Sequence, residues 1–530
     1  MQGGYLVFAL NAHLPFVRHP NYEKFIQETW LNEAISETYL PMLRAFNSLD
    51  NDNVPFCVTI SVSPTLAAML SDELLQERYV EYLQDRIDLG EKEIKRTMFD
   101  PVFNKLAKMY HSANQLNYHD FVETYKCNIL KGFKELEKKG KIKIITSSAT
   151  HAFLPFYMDY PNALEAQVQT AVISHSRIFG KEPNGFFLPE LGYAAGLEKV
   201  LKANNIKYFF TAAHSFLLSE ELPKYGIYAP VSPEPGINAF CRDIKSSNAI
   251  WSYDEGYPGN YAYREFYRDI GFEMTEKYLG NFIYRDGRRV STGFKYYANT
   301  GKPKEEKKVY DPAAAEIKTH EHAENFIYNQ VKKIKRLTRY MDRPPVIGCF
   351  CDAQIFGHWW YEGISWLEKV FRLAAGKKDE IEAIFADNYL ETYPVNPKHK
   401  LSFSSWGNNG YANIWCSGSN HWVYKHIHSI IEKMSELVKR FPNETGLKER
   451  VLNQAVREIL LSQSSDWPFI IKTGIAKPYA EKRIKEHIHN FLMIYDNLCR
   501  NTVDTEWLTS IEKKNNLFPD IDYRIFLNAK

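Results

Sequence analysis

The hydrophobic positions fall into two alternating rhythms. Short, nearly unbroken apolar runs occur at "YLVFAL" (5–10), "PFCVTISV" (55–62), "KIKIITS" (141–147), "GFFLPE" (185–190), "KYFFTAA" (207–213) and "PPVIGCF" (344–350). They are of strand length and rich in β-branched and aromatic residues. Helical patterns separate them, around 29–48, through most of 73–139, near 162–179 and near 195–204. "NAFCRD" (238–243) and "AIWSYD" (249–254) read as further extended pieces. Apolar strands alternating with helices predict parallel strands covered on both faces, and about seven of them predict a barrel rather than an open sheet. After about residue 420 the strand signal nearly stops, and "HWVYKHIHSIIEKMSELVKRF", "GLKERVLNQAVREILLSQSS" and "AEKRIKEHIHNFLMIYDNLCR" predict a helical C-terminal part. The Lys-, Gly- and Tyr-rich stretch 285–323 reads as a long solvated excursion.

Composition narrows this picture without deciding it. The 530 residues suffice for two or three domains, and 25% charged with 45% apolar residues is ordinary for a globular chain. Basic and acidic residues are interleaved, with a net charge of +2 and no basic arm, so nucleic acid is not an expected partner. No apolar run is long enough for a membrane-spanning helix. The start, "MQGGYLVFALNAHLPF", lacks a basic leader segment. Seven scattered cysteines point to reduced thiols and a cytoplasmic location. Aromatics reach 15%, an excess that coding bias explains as well as a ring-stacking cleft does.

In a parallel α/β barrel, chemistry gathers at the C-terminal strand ends. There the sequence places Asn11 and His13, then His151, Glu190, His214, and Asp352 with His358 shortly after. Each has a plainer reading: an acid past a strand caps the next helix, and a lone His packs in the core. Their coincidence at one end of separate strands is what points to a site. A zinc centre from His13, His151 and an acid is one alternative. It lacks any short His-x-His or His-x-x-x-His pairing among those residues; His320 and His322, and His426 and His428, lie elsewhere. No Gly-x-Ser-x-Gly elbow supports serine catalysis. Paired carboxyls suit glycoside chemistry, where one attacks the anomeric carbon and the other, its pKa raised by apolar neighbours, serves as acid and base. Asp352 is followed by Trp359 and Trp360, while Trp406 and Trp415 stand in a Gly/Asn-rich loop suited to stacking on sugars.

The segments "NAHLPFVRHP", "ATHAFLPFY", "GFFLPELGY", "CDAQIFGHWWYEG" and "SSDWPF" resemble, in order, the signature regions of glycoside hydrolase family 57. The likeness runs over essentially the whole chain and is nearest to the α-1,4-glucan branching subgroup and its α-amylase-like members. It implies an α/β fold with an incomplete (β/α)7 barrel over 1–400, a small inserted domain at about 191–245, and an α-helical C-terminal domain at 401–530 that helps close the active-site cleft. It implies a retaining mechanism on α-1,4-glucans such as amylose, with no metal and no organic cofactor. By the matching positions, Glu190 is the nucleophile and Asp352 the general acid/base. Asn11, His13, His151, Trp251, Arg264, Phe272, His358, Trp359, Trp360, Trp406, Trp415, Asp466 and Trp467 would contact the substrate.

The sequence departs from the family pattern in four places. Asn11 replaces a His, and Ala353-Gln354 replaces Thr-Glu after the acid/base. Loss of that neighbouring carboxylate would lower the pKa of Asp352 or Glu190 if the groups are close. Phe272 stands where Trp is common. The segment 221–240 is short, although branching enzymes carry there a mobile, Tyr-bearing loop that keeps water from the glycosyl-enzyme; Tyr225 or Tyr228 is the candidate. The expected activity is branching transfer, with α-glucan hydrolysis as the alternative and a catalytically weak glucan-binding protein as a third reading.

Overall fold

The computed structural model describes residues 3–284, 286–301 and 306–527. The strands are β1 (Gly4–Ala12), β2 (Val58–Val62), β3 (Ile142–Ile145), β4 (Gly185–Phe187), β5 (Tyr208–Thr211), β6 (Val231–Glu234), β7 (Ile237–Cys241), β8 (Val346–Asp352) and β9 (Ile381–Ala383). One sheet runs β3-β2-β1-β8, all parallel, with β9 on the first residues of β1; the other runs β4-β5-β7-β6. In the second sheet only β6 is antiparallel to its neighbour. Single parallel bridges join the sheets at both margins, Thr146 to Phe186 and Arg242 to Gly348. Gly348 is required there: a Cβ would lie 2.3 Å from the Cys241 carbonyl oxygen. Apart from β6 and β9, which are half-buried, the strands are buried along nearly their whole length because helices cover one face and aromatic side chains such as Phe187, Phe210 and Phe350 fill the other.

Register does the first work of site building. Asn11 of β1 lies level with Asp352 of β8 on one side and with Ser61 of β2 on the other. Polar residues thus come into line at the strand ends, beyond the apolar run.

Two readings of the sequence need correction. "AIWSYD" is not extended: Ile244–Trp251 is a helix, started by Asp243, whose carboxylate accepts from the Ser246 amide. The stretch 285–323 is not a solvated excursion. Phe294 packs edge-on to Tyr110, Tyr296 packs on Phe103, and Thr292, Lys295 and Tyr310 are buried. Its second half begins the long helix Pro312–Leu337. The Tyr and Phe residues of the stretch were the apolar signal, masked by the lysines between them. Residues 285 and 302–305 of it lie outside the described residues.

Beyond residue 420 the described chain is helical, in Trp422–Arg440, Leu447–Ser462, Asp466–Thr473, Lys477–Arg500 and Thr505–Lys514. A bridge between Ala152 and Ser464 ties these helices to the loop after β3.

Candidate active site

A cleft of about 590 Å³ opens at the C-terminal ends of β1 and β8. Asn11, His13, His151, Glu190, Phe272, Asp352, His358, Trp359 and Asp466 line it.

Glu190 follows β4 immediately after Pro189 and takes a left-handed conformation, φ 61°; Leu191 follows at 49° and His151 also lies at 56°. Such backbone is unfavourable for residues with a Cβ and accumulates where side chains must be aimed. The Glu190 carboxylate accepts from the Trp406 indole nitrogen at 2.6 Å and from the Ser465 hydroxyl at 2.9 Å. The Trp406 amide also donates to the Glu190 carbonyl. Asp352, level with Asn11, accepts from the Asn11 amide at 3.1 Å.

The same Asn11 nitrogen lies 3.1 Å from His151 Nε2. An amide nitrogen only donates, so Nε2 is the acceptor and the proton of a neutral imidazole is on Nδ1. From Nδ1 it faces the Ser465 hydroxyl at 3.0 Å and Glu190 at 3.6 Å. Burial, followed by the neighbouring His13, holds the His151 pKa well below its ordinary value, in agreement with a neutral ring. His13 stacks on it, ring centres 3.7 Å apart, and reaches Ser63 at 2.8 Å and Asp466 at 2.9 Å. Each histidine therefore has both nitrogens engaged, and among the described residues no three His, Cys, Asp or Glu side chains converge as metal ligands would.

Burial dominates the electrostatics. It raises Asp352, and it raises Glu190 to about 8 with help from the Asp352 charge; the Trp406 and Ser465 hydrogen bonds pull the other way. Burial would raise Asp466 too, but the His13 charge and hydrogen bond outweigh it and its pKa falls. Gln354 donates to the His13 carbonyl at 2.7 Å and to the Tyr39 hydroxyl at 2.8 Å. An ionised Glu could not make the first of these bonds.

A second acid cluster lies along the cleft. Glu33 and Glu37 flank the start of a π-helical turn (Ala34–Tyr39), and His358 bonds Glu37 at 2.8 Å. Gly357, at φ 95°, allows this approach, because a Cβ would fall 1.9 Å from the Glu37 carbonyl oxygen. Burial raises Glu33 to about 7, although His358 opposes it. Burial also acts on Glu37, but the hydrogen bond and charge of His358 prevail and lower its pKa.

The other expected contacts divide by place. Trp359 is 51% exposed and stacks on Phe266, and Phe272 is 53% exposed, so both offer faces to a ligand. Trp406 serves as a hydrogen-bond donor to Glu190. Trp360, Trp415 and Trp467 are core residues: Trp360 packs on Trp366, Trp415 stacks on Phe153, and Trp467 donates to the Leu461 carbonyl. Gly/Asn-rich sequence around Trp415 made it look exposed, but the loop folds back over Phe153. Arg264 is buried behind the cleft wall with its guanidinium 3.8 Å above Tyr361. Trp251 ends its helix away from the cleft and bonds Asn248. His214 bonds the Gly410 carbonyl outside the cleft. Tyr225 bonds Asp342, and the Tyr228 carbonyl accepts from the amide of Val346, the first residue of β8. Val346 and Asp352 are the two ends of that strand, about 20 Å apart at strand rise. Residues not anticipated include Ser465, Lys295, Glu33, Phe266 and Tyr267. Ser465 sits in the recognised "SSDWPF", but nothing in sequence marked Lys295.

The sequence matches glycosyl hydrolase family 57 over residues 7–399. The chain belongs to this family. Residues 426–526 match the C-terminal part of 1,4-alpha-glucan branching enzyme. A 1,4-alpha-glucan branching enzyme of Thermococcus kodakarensis is 30% identical over 97% of this chain and 77% of its own. An alpha-amylase of Thermotoga maritima superposes with a TM-score of 0.93 at 40% identity, covering 100% of this chain and 99% of that one. A family 57 branching enzyme of Pyrococcus horikoshii superposes at 0.88 and 28% identity, covering 99% and 97%. The α/β architecture with its parallel sheets is thus that of family 57 enzymes.

Proposed function

We propose that the chain is a retaining 1,4-alpha-glucan branching enzyme that moves an α-1,4-linked segment onto a sugar 6-hydroxyl, with Glu190 as nucleophile and Asp352 as general acid/base. The observation that carries this reading is that the two carboxyls, from β4 and β8, share one cleft and are linked through Asn11 and His151. In the first step Glu190 attacks the anomeric carbon while Asp352 gives its proton to the departing glycosidic oxygen. In the second, Asp352 takes the proton of the acceptor hydroxyl, which displaces Glu190 and restores the anomeric configuration. The indole of Trp406 and the hydroxyl of Ser465 hold Glu190 oriented. Asn11 fixes one Asp352 oxygen and leaves the other to carry the proton. Trp359 and Phe272 offer stacking faces to the glucan.

The architecture expected from the sequence is part of the same proposal. Seven strands, β1, β2, β3, β4, β5, β7 and β8, would form a (β/α)7 barrel whose closure rests on the two single bridges. Residues 1–400 would be the catalytic domain and 401–530 the helical domain, which lends Ser465 and Asp466 to the cleft. The suggested insert at about 191–245 contains β5, β6 and β7, all of the second sheet, so the inserted part would be the stretch between β5 and β6. A cytoplasmic location accords with seven free thiols and with the lack, among the described residues, of a helix long and apolar enough to cross a membrane.

Hydrolysis of α-glucan is the second reading. Tyr225 and Tyr228 lie toward the start of β8, so the short segment 221–240 does not bring either to the carboxyls as a water-excluding lid. Proton NMR of amylose products separates the two: new α-1,6 signals are expected, and a rise in reducing ends alone would make the protein a hydrolase.

A further inference from the structure

A large concavity lies away from the two carboxyls, on the side where β8 begins. It has a volume of about 1210 Å³, between the helix Ile244–Trp251, the second half of Pro312–Leu337, and the turn at 377–380 that leads into β9. Its walls differ in kind from those of the cleft. Seven basic side chains line it against two acidic ones. Both acids are occupied, Asp243 by Lys333 at 2.7 Å and Glu380 by Lys335. Lys245, Lys332, Arg336, Arg339 and Lys377 have no ion-pair partner among the described residues. This excess is local, since the whole chain carries a net charge of only +2.

Helix stabilisation does not account for the cluster. Cations at the end of Pro312–Leu337 favour its dipole, but Lys245 stands in the first turn of its helix, where a cation is unfavourable. Like charges from three elements around one concavity repel each other, and a bound anion relieves the repulsion. A neutral glucan has no use for them. The walls also carry flat rings, Tyr257 and the 59% exposed Tyr328, over an apolar floor that includes Phe326 and Val331. Cations beside rings and apolar surface fit a phosphate ester carried on a ring.

We propose that this groove binds a small phosphorylated sugar or nucleotide. The test uses the full chain and the double variant Lys245→Glu/Arg339→Glu, with calorimetric titration at low salt. Glucose 1-phosphate, ADP, inorganic phosphate and glucose are the probes, and a short oligonucleotide serves as a polyanion control. At least one of glucose 1-phosphate and ADP should bind the wild type, more weakly as salt rises, and about tenfold or more weaker in the variant. Which of the two binds tighter identifies the sugar or the nucleotide as the source. Amylose activity should be unchanged in the variant. No binding of either ring-bearing phosphate, equal affinity in the variant, inorganic phosphate binding as tightly as both, or binding of the oligonucleotide alone would each overturn the proposal. If the double variant fails to fold, Lys245→Gln/Arg339→Gln replaces it, with the same expected loss.

Discussion

Glu458, between the helices Leu447–Ser462 and Lys477–Arg500, is fully buried and accepts from four donors, Gln454, His487, Asn490 and Asn515, at 2.7–3.2 Å. Glu190, whose side chain is 14% exposed, has two donors and another carboxyl for a neighbour. Burial pushes both up. In Glu458 the hydrogen bond and charge of His487, then the bonds of Asn515 and Gln454, reverse the push, and its pKa falls. The His487 pKa is itself lowered, by burial and then by Arg483. In Glu190 the donors are outmatched and the pKa climbs to about 8. The helical region thus shows what full satisfaction of a buried acid looks like in this protein. The cleft leaves the job unfinished: the Asp352 charge helps to raise Glu190, burial raises Asp352 as well, and the pair shares a proton that the mechanism needs on Asp352, with Glu190 ionised to attack.

The contrast can be broken at either end. Glu190→Ala or Asp352→Ala should lower turnover on amylose by about 10⁴-fold or more, as loss of a nucleophile or acid/base does, with folding intact; turnover near wild type in either would remove the pair from the mechanism. Glu458→Ala should leave the cleft chemistry alone but destabilise the fold by about 3–5 kcal/mol, since its buried donors lose their acceptor. Denaturant melts read this directly, and a shift below 1 kcal/mol would mean the four bonds are not what holds the acid. A subtler intervention is Trp406→Phe, which takes away one of the two donors of Glu190. Donors lower its pKa, so their loss should move the acid limb of the kcat/KM profile to higher pH by about one unit. An unmoved limb would assign that limb to another group.

Only the cleft side of this contrast is legible in the sequence; nothing there marks Glu458 as a buried, fully bonded acid. Glu190 and Asp352 are visible as acids at strand ends because apolar strands announce their own C-termini. What satisfies them is not, because Ser465 arrives from the turn before a helix, 275 positions away, and Asn11 acts through register. Tryptophan was the least readable residue. Trp359, Trp406 and Trp415 share a chemistry, yet one stacks in the cleft, one donates to a carboxylate and one packs in the core. Only the path of the loop decides among these, and local sequence does not encode it. The alternation of Phe294 and Tyr296 is hard to read for the converse reason: nearby lysines disguise a buried segment.

The central claim is that Glu190 is held short of satisfaction, and the stability of Glu190→Gln as a function of pH measures it. The folded pKa, about 8, lies above the ordinary 4.5. The folded state therefore binds the proton more tightly, and the associated stability is present below 4.5 and lost as pH rises toward 8. Glutamine has no proton to lose. Glu190→Gln should be more stable than the wild type by about 1–3 kcal/mol at pH 7, with the gain fading as pH falls to about 4. A variant that is equally or less stable at pH 7, or whose difference from wild type does not change with pH, would contradict the account.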